Sequence, residues 1–142
     1  MEILYARISA NRPLYWLALG LTALLVVYMG VWLNAVIIVL ATDRPSGFFG
    51  INLREVLRHT TRLDLALFFG VATTFFATLI LLGWRRAASA VTLGAGILLH
   101  LALWFRLTMN PIYDASVGML VIAFEVIILL MILRLRQIAA SH

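Results

Sequence analysis

Two titratable side chains lie where the chain is otherwise apolar. Glu125 sits inside the run AFEVIILL, and His100 closes the run GAGILLH. A carboxyl and an imidazole within hydrogen-bonding reach can pass a proton, act as an acid–base pair, or anchor the polar end of a ligand. An isolated ionised carboxylate in an apolar medium is costly, so Glu125 demands a partner. At about 1.5 Å rise per residue, the two residues fall within roughly one helical turn of the same depth if each run is a span. A Glu125–His100 hydrogen bond, direct or through one water, is therefore expected.

Other polar or small residues join them by helical spacing. Ser89, Thr92, Gly96 and His100 follow at steps of three, four and four, and Gly118 lies seven before Glu125. Gly20, Ala23, Gly30 and Asn34 form a third stripe, and Ala66, Gly70, Thr73 and Ala77 a fourth. Small residues on a shared face let helices approach closely, so the four stripes are expected to face one another. Asn34, Thr73, Thr92 and Gly96 then become ligand-lining candidates, with Asn34 orienting whatever Glu125 and His100 hold. Each has a plainer alternative. Ser and Thr in spans mostly bond their own helix carbonyls, glycine stripes mostly serve packing, and a buried Asn mostly joins helices.

The third candidate group is basic. Arg54, Arg58 and Arg62 recur every four residues. Such a row on an interfacial helix could grip an anionic lipid or a substrate phosphate, or simply face solvent and headgroups. Several constellations are missing. There is no cysteine, so thiolate metal sites and disulfides are excluded. No HExxH motif, paired carboxylates, Ser-His-Asp set or Gly-rich phosphate loop occurs. A membrane b-type haem usually takes two intramembrane histidines and only His100 qualifies, so no cofactor is expected.

The elements that must position these residues follow from hydropathy. The chain has 142 residues, 64% of them hydrophobic and only 12% charged. Its mean hydropathy is +1.06. A soluble chain of this size cannot bury so much apolar surface, and lipid must cover it. Four apolar stretches, at about 13–41, 63–84, 87–105 and 115–133, each reach the length needed to cross a bilayer. The first is long enough to tilt or bend, with Gly30 and Asn34 as bend points. Arg85 and Arg86 make a tight turn between the second and third. The nine residues 106–114 contain Pro111 and join the third to the fourth. Residues 42–62 form the longest connection. Over residues 51–62, Leu53, Val56 and Leu57 share one side, which predicts a short amphipathic helix at the interface. The expected fold is an all-α integral membrane protein, a single four-helix bundle over residues 1–142.

Every fixed cation is Arg, and the net charge of +5 is scattered along the chain rather than striped. That reads as topology control and headgroup contact, with no nucleic-acid partner. Arg7, Arg12, Arg85, Arg86, Arg134 and Arg136 on one side outnumber Arg44, Arg54, Arg58, Arg62 and Arg106 on the other. Both termini are accordingly expected in the cytoplasm, in a bacterial inner membrane. Tyr15, Trp16 and Trp84 would mark one interface, and Phe48, Phe49, Trp104 and Tyr113 the other.

Three functions fit this inventory. The first is a non-enzymatic membrane module that binds a lipid or lipophilic ligand, or relays a proton, at Glu125 and His100. It would work in a homo-oligomer or beside a partner membrane protein. The second is a membrane-embedded enzyme using Glu125 and His100 as acid and base on a lipophilic substrate. The third is a small proton-coupled transporter, which would need an oligomer to enclose a pathway.

Overall fold

In the computed structural model, residues 12–42, 47–48, 51–109 and 116–140 are described. Four long helices dominate: α1 (Arg12–Ala41), α3 (Arg62–Gly83), α4 (Ala88–Leu107) and α5 (Ser116–Ala140). Between α1 and α3 lie two two-residue strands, β1 (Gly47–Phe48) and β2 (Ile51–Asn52), and a six-residue helix, α2 (Leu53–Arg58). Each of the four long helices is long and apolar enough to cross a membrane. Expected and observed bounds agree within a few residues, except that α5 runs on to Ala140. It does so because Arg134, Arg136 and Gln137 are good helix formers and nothing interrupts them. The helix α1 continues unbroken through Gly30 and Asn34.

The helices pack in a closed ring, α1 against α3, α3 against α4, α4 against α5 and α5 against α1. Neighbours in sequence run antiparallel. Tyr15 at the start of α1 donates its hydroxyl to the Leu82 carbonyl near the end of α3, at 3.2 Å. Arg106 at the end of α4 pairs with Asp64 at the start of α3. One core fills the ring, centred on Leu25, Met29, Val71, Phe75, Leu93, Ile97, Ile128 and Ile132. The surface remains apolar. Leu98, Phe105 and Leu120 are 68%, 67% and 73% exposed.

The helix α4 packs tightly on α3 at Gly96. A Cβ there would lie 2.6 Å from Thr74 Oγ1 and 2.8 Å from Phe75 Cε1. Thr74 is tied to the Val71 carbonyl and Phe75 is fully buried, so neither yields freely. Gly96→Leu is expected to cost about 1–3 kcal/mol by overpacking. Thermal unfolding in mild detergent measures this, and an unchanged Tm would refute the close contact. Gly118 has a similar role on α5, where a Cβ would meet Trp104 Cδ1 at 2.5 Å.

Two expectations about faces need correction. The stripes on α1 and α3 lie off the core, with Ala23, Gly30, Gly70 and Ala77 half-buried and a Cβ on Gly70 reaching Leu99 of α4 at 3.4 Å. On α1 the buried residues are Tyr15, Ala18, Thr22, Leu25, Val26 and Met29, while Gly20 and Asn34 are exposed. On α3 the buried residues include Val71, Phe75, Thr78 and Leu82, while Ala66 and Thr73 are exposed. At about 100° per residue the small-residue stripes are turned off these buried faces. The inward faces mix large residues such as Leu25, Met29 and Phe75 with small ones such as Ala18, Thr22 and Ala72, so small size alone does not mark the inside.

The single helix over residues 51–62 is also corrected. Asn52 caps α2 by accepting from the Glu55 amide at 3.3 Å. Thr61 then caps a new helix, α3, in a reciprocal capping box with Asp64. Two N-caps nine residues apart leave room for only a six-residue helix. The helix α2 lays Leu53 on Ala35, Val36 and Val39 of α1, with Leu57 half-buried beside them. Arg62 belongs to α3, so Arg54, Arg58 and Arg62 form no continuous row.

Candidate functional site

Glu125 and His100 meet. Ile122, Glu125, Ile128, Ile132 and Leu135 form the inward face of α5, where each residue lies three or four from the next. That phase sends Glu125 into the ring, where it is 0% exposed. On α4, Ser89, Gly96 and Ile97 are buried, and His100 continues the same face. His100 Nδ1 stands 2.5 Å from Glu125 Oε1. The imidazole side chain keeps 13% of its surface exposed. Its ring meets Phe75 edge-on, with centroids 6.3 Å apart and planes at 72°.

Two proton arrangements keep this bond: an imidazolium on a carboxylate, or an imidazole paired with a carboxylic acid. Moving one proton between them needs no rearrangement of the pair. The second carboxyl oxygen, Glu125 Oε2, is buried without a hydrogen-bond partner among the described residues. Buried polar atoms are nearly always satisfied, so this oxygen is a free hydrogen-bonding position among the described residues.

An apolar groove of about 370 Å³ opens between α1 and α5, lined by Leu24, Leu25, Tyr28, Leu120, Val121 and Phe124. Glu125 is the next residue after Phe124 and lies one helical turn beyond Val121. Trp32 meets the Tyr28 ring edge-on at 6.5 Å.

The remaining sequence candidates scatter. Asn34 is exposed, so the expectation that it lines the interior is corrected. Thr73 is exposed as well and donates to the Phe69 carbonyl at 2.8 Å. Thr92 is half-buried and donates to the Ala88 carbonyl at 3.0 Å. Gly96 is buried as the packing point described above. Arg58 pairs with Glu55 at 3.4 Å on the exposed side of α2, Arg54 is half-buried, and Arg62 is exposed at the start of α3. His59 closes α2, with Nδ1 3.0 Å from the Glu55 carbonyl. Phe48 and Phe49 are not placed here, since no side chain is described for residues 43–50; Tyr113 likewise lies outside the described residues.

Sequence reasoning missed a second polar cluster. Asp64 is 6% exposed and accepts from Arg106 Nε. It also accepts from the Thr61 amide at 2.8 Å and the Thr61 hydroxyl at 2.7 Å. The signal was available as Thr61 followed three residues later by an acid, a helix-start signature. Among the described residues, no three His, Cys, Asp or Glu side chains come close enough to share a metal ion.

No family model matches the chain, and neither the curated proteins nor the solved structures contain a match to it.

Proposed function

We propose that this chain is an integral membrane protein that binds a neutral lipophilic ligand, with the His100–Glu125 pair as its polar anchor. One observation carries the reading: a fully buried carboxyl group has one oxygen held by His100 and the other unsatisfied. The unsatisfied oxygen supplies a hydrogen-bonding position in an otherwise apolar setting, as small-molecule sites usually do. The α1–α5 groove supplies the apolar body of the site, opening sideways towards lipid. No charged residue lines the groove, which favours a neutral ligand with a hydroxyl or carbonyl end over a phosphorylated one. Phe124 and Val121, which line the groove, stand one residue and one helical turn before Glu125 on α5.

A proton relay would use the same pair, with His100, 13% exposed, as the outer member. An enzyme would use the two groups as acid and base, and the groove adds only the Tyr28 phenol to them. Binding therefore needs the fewest further parts. The test is native mass spectrometry of protein extracted in mild detergent or nanodiscs. Wild type is expected to carry a neutral lipophile that Val121→Trp displaces by filling the groove and Glu125→Leu releases by removing the anchor. Equal retention by all three proteins overturns the reading.

The reading includes self-association in a bacterial inner membrane, with both termini cytoplasmic. Self-association is supported by exposed Gly20 and Asn34 on α1, with half-buried Gly30 between them. Asn34 has no hydrogen-bond partner among the described residues, and a carboxamide facing lipid gains from a partner on a second copy. Asn34→Leu is expected to lower the oligomeric fraction several-fold in cross-linking, while Leu24→Ala on the groove side leaves it unchanged. A monomeric wild type refutes this part. A reporter fused at residue 142 tests the orientation, and a periplasmic signal reverses it.

A further inference from the structure

We propose that the α3–α4 turn, together with the end of α5, binds the phosphate of an anionic phospholipid headgroup. The inference rests on the membrane reading above but not on the His100–Glu125 site. A cavity of about 20 Å³ lies where α1, the turn and α5 converge. Arg85, Arg86 and Arg136 line it, with Tyr15 and Ser89. The volume holds about one water, or one phosphate oxygen with the rest of the group at the mouth.

The backbone of the turn is informative. The amide of Arg86 donates to the Leu81 carbonyl at 2.7 Å, and that of Arg85 to the Leu82 carbonyl at 2.8 Å. These two bonds are the Schellman helix ending, whose left-handed position normally falls to Gly. Here that position is Arg85, at φ 54°. A long side chain is costly there, so what its guanidinium does is the natural reason for it. The guanidinium stacks 5.1 Å from the centroid of the Tyr15 ring, which the hydroxyl bond to Leu82 fixes.

Charge points the same way. Among the described residues, Glu55 pairs with Arg58, Asp64 with Arg106 and Glu125 with His100. No described carboxylate pairs with Arg85, Arg86 or Arg136, and three like charges around one cavity favour an anion. No side chain caps the start of α4 at Ala87, which adds a weak positive end beside them. Trp16 and Trp84, 61% and 63% exposed, flank this end of the bundle at the depth where indoles mark headgroups.

The test compares the protein in nanodiscs of phosphatidylglycerol and of phosphatidylcholine, with lipid retention read by native mass spectrometry. Wild type is expected to retain phosphatidylglycerol at least several-fold over phosphatidylcholine. Arg86→Gln and Arg136→Gln should each cut that preference severely. Arg85→Gly separates binding from folding, since it relieves the left-handed backbone. Its Tm should hold or rise in phosphatidylcholine while the lipid preference falls. Arg134→Gln, with the same charge change one turn-face away and a bond to Gln137, should keep the preference. Equal loss in Arg134→Gln and Arg136→Gln means diffuse charge and overturns the proposal. So does stabilisation by inorganic phosphate in phosphatidylcholine discs that matches phosphatidylglycerol. Failure to enter nanodiscs at all would instead overturn the membrane reading.

Discussion

His100→Leu is expected to destabilise the bundle by about 3–5 kcal/mol, more than Glu125→Leu, because it strands the more deeply buried partner. Glu125 is 0% exposed and its Oε2 already lacks a described partner. Removing the imidazole leaves both carboxyl oxygens unsatisfied. The reverse change leaves His100, the less deeply buried partner, whose side chain is still 13% exposed. Glu125→Leu is therefore expected to cost about 1–3 kcal/mol, the usual penalty for one orphaned polar group. The double variant should recover most of either loss, since apolar side chains of similar volume replace such pairs at little cost. Glu125→Gln keeps an oxygen facing His100 Nδ1 and should remain close to wild type in stability. It cannot release a proton, so any proton-dependent activity should disappear in a well-folded protein. Thermal and chemical unfolding in mild detergent measures all four. Losses below about 1 kcal/mol in both single leucine variants would show that the pair contributes little to the fold.

The helices were legible in the sequence and half of their faces were not. Uninterrupted apolar runs give the number and limits of the long helices. The faces of α4 and α5 were legible because each carries a group that hydrocarbon penalises, and His100 and Glu125 must turn inward wherever the helix begins. On α1 and α3 nearly every residue is apolar, so hydrophobic periodicity carries no phase. Small residues were taken to mark the inside there, yet Leu25, Met29 and Phe75 occupy it. Asn34 followed its stripe outward. The extent of α2 was legible only through its caps, Asn52 and Thr61, which periodicity alone passes over. The αL position of Arg85 was hidden because Gly83, two residues earlier, is the residue that looks suited to end α3.

Asp64→Ala should be the second large effect, about 2–4 kcal/mol, because one carboxylate performs two jobs at the far end of the bundle. Its Oδ2 closes the capping box with Thr61, and its Oδ1 receives Arg106 Nε from α4. A lost cap costs about 1 kcal/mol and a lost charged hydrogen bond about 1.5–3 kcal/mol. Arg106 also donates to Thr61 Oγ1 at 3.1 Å, so the cap and the ion pair share atoms and should not add independently. Arg106→Gln removes only the interhelical part and leaves Asp64, 6% exposed, with Thr61 as its remaining partner. Thr61→Ala removes the hydroxyl's part of the cap and the secondary Arg106 bond to Thr61 Oγ1, and leaves the Arg106–Asp64 pair and the Thr61 amide bond in place. The expected order of destabilisation is Asp64→Ala, then Arg106→Gln, then Thr61→Ala. The Arg106 side chain is 41% exposed, so raised salt should shrink the effect of Arg106→Gln more than that of Thr61→Ala. Unfolding curves at low and high salt test the order. If Asp64→Ala costs no more than Thr61→Ala at either salt concentration, the clasp between α3 and α4 contributes nothing and Asp64 is only a helix cap.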